Sequence, residues 1–83
     1  MDFDEAQLKV KDLKSSPGND KLLELYALYK QGTSGDVAGK RPGMLDVKGR
    51  AKYDAWAVRK GMAKDEAKEA YVALVEKLLA ADR

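Results

Sequence analysis

Cysteine and histidine are both absent from this chain of 83 residues. Without cysteine there is no disulfide framework and no thiolate to act as nucleophile or soft metal ligand. Without histidine, the side chain that titrates nearest neutrality is missing, together with the commonest general base. Carboxylates, lysines, tyrosines and three serines, Ser15, Ser16 and Ser34, are what remains for chemistry. That inventory argues against an enzyme and against a bound metal or other cofactor. Long apolar runs are lacking as well: no stretch nears the ~20 residues needed to cross a bilayer. The opening Met1-Asp2-Phe3-Asp4-Glu5 has neither the basic nor the apolar part of a secretory signal, so a cytoplasmic location is expected. Nor does one sign of charge dominate. With 16 Lys and Arg against 14 Asp and Glu the net charge is +2, too small for the basic face that grips nucleic acid. Any anion site has to be local.

What is present suits one globular domain over residues 1–83, with 45% hydrophobic and 36% charged residues. Phe3, Ala6, Val10 and Leu13 recur at helical spacing among Asp4, Glu5, Lys9, Lys11 and Asp12, which predicts a first amphipathic helix over about residues 2–13. Ser15-Ser16-Pro17-Gly18-Asn19 is a turn by its chemistry, and Asn19 or Asp20 is the expected cap of the next helix. That second helix, about 20–34, carries Leu22, Leu23, Leu25, Tyr26, Ala27, Leu28 and Tyr29 around most of its circumference, so more than one neighbour has to cover it. Lys30 projects within about 40° of Leu23 and Tyr26, inside the apolar sector.

From Gly32 to about Leu45 no period holds. Gly32, Gly35, Gly39, Pro42 and Gly43 punctuate a long loop, anchored by Met44 and Leu45 and braced by Arg41. Asp46 is expected to cap a third helix over about 47–60, with Gly61 as a left-handed stop. A fourth helix, about 63–81, places Ala67, Ala70, Tyr71, Leu74, Val75, Leu78 and Leu79 on one broad face. It starts at a weak cap, Ala63, ahead of Asp65 and Glu66. Four helices with one long connection predict an all-α bundle.

Between Tyr26 and Trp56 aromatic residues and cations alternate, which suggests a place for a phosphorylated, partly planar ligand. Each member also has a plainer role. Tyr26, Tyr29 and Tyr71 serve equally as core or interface aromatics, Lys30 and Lys52 as snorkelling side chains, and Lys11, Lys48 and Arg59 as solvated charges. Trp56 is assigned to the core. What favours a site is the pairing: two helices flanking one loop each set a lysine beside an aromatic, and a shared anion explains both.

Tyr29-Lys30-Gln31, Gly35-Asp36, Arg41-Pro42-Gly43-Met44-Leu45-Asp46, Lys48-Gly49, Ala51-Lys52, Asp54-Ala55-Trp56 and Ala70-Tyr71 resemble the acyl-CoA-binding protein family, and the similarity runs from Phe3 to the last helix. The resemblance implies an up-down-down-up four-helix bundle with a long loop between helices 2 and 3. It implies a monomeric intracellular carrier that holds one medium- to long-chain acyl-CoA ester and performs no chemistry. The implied partners are the ester, the enzymes that use it and membranes touched in transit. By position it implies Tyr26, Tyr29, Lys30 and Lys52 around the adenine and ribose 3′-phosphate, with Tyr71, Lys11 and Lys48 completing the nucleotide and diphosphate contacts. Leu22 and Leu23 would line the acyl track. Three residues depart from the family pattern: Tyr53 stands where tryptophan is common, Gln7 where a small residue lets the first helix approach the ligand, and Ala63 where a hydroxyl caps.

The physics runs the same way, since a compact phosphate takes several convergent donors and an aromatic platform holds a base by about 1–3 kcal/mol. Two other readings use the same residues. One is a small helical protein-interaction domain that has lost the ester. The other is an enzyme of the hydratase or isomerase kind with Asp36, Asp46 or Asp54 as base.

Overall fold

Four α-helices and one 3-10 turn carry the chain, and no strand occurs among the described residues; the structure, a computed structural model, describes residues 1–82. Helix α1 (Phe3–Lys9) runs into the turn Val10–Asp12, α2 spans Asn19–Ser34, α3 Val47–Ala57 and α4 Lys64–Ala81.

Individual side chains explain where these helices begin and end. Asp2 caps α1, accepting the Glu5 N–H at 2.8 Å. This first segment is less regular than its periodicity predicts. It tightens at Val10 and leaves the helix at Leu13, where φ is −57° and ψ 130°. The chain is thereby turned so that the Lys14 N–H donates to Asp82 Oδ2 at 2.7 Å, tying the end of the first segment to the end of α4.

The expected side-chain cap at Asn19 or Asp20 does not form. Asn19 is already helical, and Gly18, at φ 94°, turns the chain into α2 without a side-chain bond. Such a φ costs glycine little and strains any residue with a Cβ. Asp46 caps α3 as expected, accepting the Gly49 N–H at 3.0 Å; a Cβ on residue 49 would collide with that carboxylate. Helix α3 stops at Ala57 rather than near residue 60. Arg59, Lys60 and Met62 each donate to the third residue back, and the tightened turn passes through Gly61 at φ 95°. Ala63 precedes α4 with no side-chain cap, which leaves Asp65 and Glu66 to complement the helix dipole.

The main core joins Ala6 of α1, Leu25 and Leu28 of α2, and Ala67, Tyr71, Leu74 and Val75 of α4. Ala6, Ala67 and Val75 are fully buried there. Burying each leucine or valine contributes about 1.5–3 kcal/mol. Helix α2 lies between α4 on one side and α3 on the other, so both neighbours needed by its apolar circumference are present. Its approach to α4 is close: a Cβ on Gly32 would sit 2.9 Å from Lys68 Cγ. Helix α1 packs on α4 and makes no backbone contact with α2. A cleft therefore opens between α1 and α2, floored by α4. No helix among the described residues is long and apolar enough to cross a membrane.

Candidate functional site

The cleft between α1 and α2 encloses about 830 Å³. Its floor is Tyr71, buried against Phe3, whose ring meets it edge-on at 5.1 Å between centroids. Burial first, and the neighbouring Tyr29 second, raise the Tyr71 phenol above a tyrosine's ordinary pKa, so it stays a neutral donor at all physiological pH. Nothing among the described residues pairs with its hydroxyl. Tyr26 and Tyr29 form the α2 wall, one turn apart, and Tyr29 lies nearly parallel to Phe3 at 6.1 Å. Leu22 extends that wall, and Leu8 of α1 faces the same cavity. Both leucines stand exposed, at 47% and 66%. Lys11 and Lys14 bring two cations to the cavity lining.

The remaining lysines lie at the α2–α3 junction and are held reciprocally. Lys30 of α2 places Nζ 4.9 Å above the Trp56 ring of α3, while Lys52 of α3 places Nζ 5.5 Å above the Tyr26 ring of α2. Neither has a carboxylate partner among the described residues. A cation on an aromatic face keeps its charge and gives up part of its hydration, which suits it to an arriving anion. Lys52 is the nearer of the two to the cleft, since Tyr26 is shared between them.

Trp56 is core, as expected, and carries Lys30 as well; its Nε1–H donates to Gly35 O at 2.8 Å. Behind it Gln31 is completely buried, donating from Nε2 to Met62 O at 2.8 Å and to Asp36 Oδ1 at 2.9 Å. Asp36 also accepts the Gly61 N–H at 2.8 Å. That bond, then the one from Gln31, holds the Asp36 carboxyl below the usual carboxylate range. Arg41 braces the loop through a two-pronged pair to Asp54 at 2.8 and 2.7 Å, which lowers the Asp54 pKa. The Tyr53 hydroxyl ties the loop down by donating to Gly39 O at 3.1 Å. Asp36, Asp46 and Asp54, the candidate bases, are thus each engaged in holding a linker or a helix end. Among the described residues no group of acidic side chains is arranged to hold a metal ion.

Of the residues singled out in the sequence, Lys11, Tyr26, Tyr29, Tyr71 and Leu22 meet in one cavity. Lys52 adjoins it through Tyr26, Lys30 stands on Trp56, and Lys48 is exposed one turn before Lys52 on α3. Leu23 does not line this cavity; Leu25 does. Gln7, Leu8 and Lys14 are cavity residues that the periodicity did not single out. Leu8 had a signal: it is a leucine off the Phe3, Ala6, Val10, Leu13 stripe, with nothing on its own helix to cover it.

An open cleft between two helices, apolar along its walls and cationic at its rim, defines a small all-α ligand-binding module. The family model described as acyl CoA binding protein matches residues 1–75. The chain is 60% identical over 80 residues to acyl-CoA-binding protein homolog 1 of Caenorhabditis elegans, covering 96% of this chain and 93% of that protein. With the acyl-CoA-binding protein of Dictyostelium discoideum it shares 51% identity over 76 residues, covering 92% and 90%. The crystal structure of Oryza sativa acyl-CoA-binding protein 2 superimposes with a TM-score of 0.91 at 42% identity, over 95% of this chain and 88% of that one. The chain belongs to the acyl-CoA-binding protein family.

Proposed function

We propose that this protein binds one medium- to long-chain acyl-CoA ester in the α1–α2 cleft and carries it as a cytoplasmic monomer, without chemistry on the thioester. The observation that carries this reading is the joining, in one cavity, of an aromatic wall, a cationic rim and exposed leucines: Tyr26, Tyr29 and Tyr71, Lys11, Leu8 and Leu22. Such a site matches a ligand that is planar at one end, phosphorylated in the middle and apolar at the other. Tyr26 and Tyr29 supply the platform for the adenine. Lys52 and Lys30 leave their aromatic rings to meet the ribose 3′-phosphate, aided by the Tyr26 hydroxyl. Lys11, Lys48 and the Tyr71 hydroxyl complete the nucleotide and diphosphate contacts. Leu22 continues the track for the acyl chain, and Leu23, on the Lys30 side of α2, extends it toward α3.

Enzymes that consume acyl-CoA are the receiving partners in this reading. Met44, Leu45 and Val47 stand 81%, 100% and 72% exposed at the end of the α2–α3 loop, near Lys40 and Lys48, a surface suited to brief contact with a membrane during loading.

Calorimetric titration with palmitoyl-CoA, octanoyl-CoA, free CoA and 3′-dephospho-palmitoyl-CoA tests the proposal. One-to-one binding should strengthen with chain length, each methylene contributing at most about 0.8 kcal/mol. It should fall sharply without the 3′-phosphate. No heat from any of the four would sink the carrier reading and leave the protein-interaction module in its place.

A further inference from the structure

Gln7 departs from the family's small residue, and its placement assigns it more than bulk. It is half-buried on the cavity side of α1, across the cleft from Tyr26 and Tyr29. Its Nε2 faces two acceptors on its own helix, Phe3 O at 3.3 Å and Asp4 Oδ1 at 3.4 Å. Two acceptors on one side fix the orientation of the amide: the nitrogen turns to them, and Oε1 turns away. That oxygen has no hydrogen-bond partner among the described residues and is not buried, so it remains accessible beside the cavity. Asp4, one turn earlier, lines the same cavity with a second acceptor, its carboxylate. At the other end of the segment stand Lys11 and Lys14. The face of α1 that meets the cleft is therefore divided, with hydrogen-bond acceptors at its N-terminal end and cations at its C-terminal end.

We infer that Gln7, assisted by Asp4, reads the exocyclic amine of the adenine and so gives this chain a base preference that a small residue in the same place does not supply. The inference rests on the acyl-CoA reading above. An aromatic platform accepts any base, because every base has a π face. Discrimination needs edge contacts, and an acceptor set complements an amine while opposing a carbonyl. Adenine and hypoxanthine differ at this edge, one presenting an amine and the other an oxygen. With Nε2 engaged by Phe3 and Asp4, Oε1 is the amide atom left to accept from a ligand. The cations at the opposite end set the direction in which the nucleotide lies, base toward Asp4 and diphosphate toward Lys11.

The test compares palmitoyl-CoA with the same ester carrying hypoxanthine in place of adenine, titrated calorimetrically into the wild type and into Gln7→Leu, Gln7→Glu and Asp4→Ala/Gln7→Leu. The wild type should bind the adenine ester on the order of tenfold more tightly than the hypoxanthine ester. Gln7→Glu keeps an acceptor and should retain that preference. Gln7→Leu keeps the volume and should lose most of it, and the double variant should lose the rest. Equal affinity of the wild type for both esters overturns the inference, as does a Gln7→Leu variant that weakens both alike, which would make Gln7 a packing residue. If the wild type binds neither ester, the carrier reading itself has failed and takes this one with it, an outcome that the lost adenine ester makes recognisable.

Discussion

Helix α2 has two flanks, and the polar groups along them are treated differently. Toward α3 they are tied to one another: Gln31 to Met62 and Asp36, Trp56 to Gly35, Arg41 to Asp54 and Tyr53 to Gly39. Toward α1 the hydroxyl of Tyr71, the amine of Lys11 and the amide oxygen of Gln7 have no partner among the described residues, and they stand beside leucines left bare. The first flank satisfies most of its polar groups internally, the exceptions being the buried Gln31 Oε1, which has no partner among the described residues, and the two lysines held on aromatic rings. The second leaves a donor, an acceptor, a cation and apolar side chains free for a ligand. The lesson is that a candidate site in so small a protein is recognised less by the groups it gathers than by how many accessible ones it leaves unpaired beside a neighbour whose groups are mostly tied to one another.

Four experiments press on that contrast. Tyr71 belongs to the core by its ring and to the open flank by its hydroxyl, so two substitutions separate its roles. Tyr71→Ala should cost about 3–5 kcal/mol of stability, measured by urea unfolding. Tyr71→Phe should leave folding nearly unchanged, because it removes no internal bond, and weaken the ester a few-fold in calorimetry. Gln31→Ala strikes the completed flank and should cost about 2–4 kcal/mol by the same unfolding assay, from lost packing and stranded partners. Ester affinity of the folded protein should stay within about twofold, and a selective loss of binding would show that the two flanks are not separable.

Lys52→Ala addresses the rim. It should weaken palmitoyl-CoA by about 10- to 100-fold, as loss of a charge-assisted bond does, with helical content by circular dichroism unchanged. Lys30→Ala should follow in the same direction. Unfolding of either variant would move that lysine to the scaffold.

The smallest effect is expected from acid. The folded-state pKa of Asp36 is lowered, so the native state binds fewer protons than the unfolded chain as pH falls. Its contribution is complete above the ordinary carboxylate value of 3.8 and is lost as pH drops through the lowered one. Urea midpoints collected from about pH 6 to pH 2 should decline less steeply for Asp36→Asn than for the wild type.

Features with local causes were legible in the sequence. Asp46 caps α3 because an aspartate three residues before an available N–H needs nothing from elsewhere, and Trp56 was assigned to the core it occupies. Arg41 braces the loop as expected. Features that depend on which neighbour an apolar or polar side chain meets were not legible. A helical wheel gives direction around an axis but not the identity of what lies there. It places Lys30 in an apolar sector without pointing to Trp56, and the family resemblance, which implies Leu22 and Leu23 as one track, does not show that of the two only Leu22 lines the cleft. Nothing in the spacing of Gln31 marks a glutamine that joins two linkers. The cap expected at Asn19 or Asp20 failed because the turn residue Gly18 already starts the helix through its backbone.

The separation of α1 from α2 has a consequence in time. The two helices are kept apart by their packing with α4, and the leucines between them face solvent. A cargo molecule therefore enters without waiting for the bundle to open, at the ordinary docking rates of about 10⁵–10⁷ M⁻¹ s⁻¹. Arrival is then nearly the same for every cargo, and departure is where they differ. At about 0.8 kcal/mol for each methylene withdrawn from water, dwell time lengthens about fourfold per carbon. Under the proposed carrier reading the cleft is a clock that releases short chains early and holds long ones until something takes them.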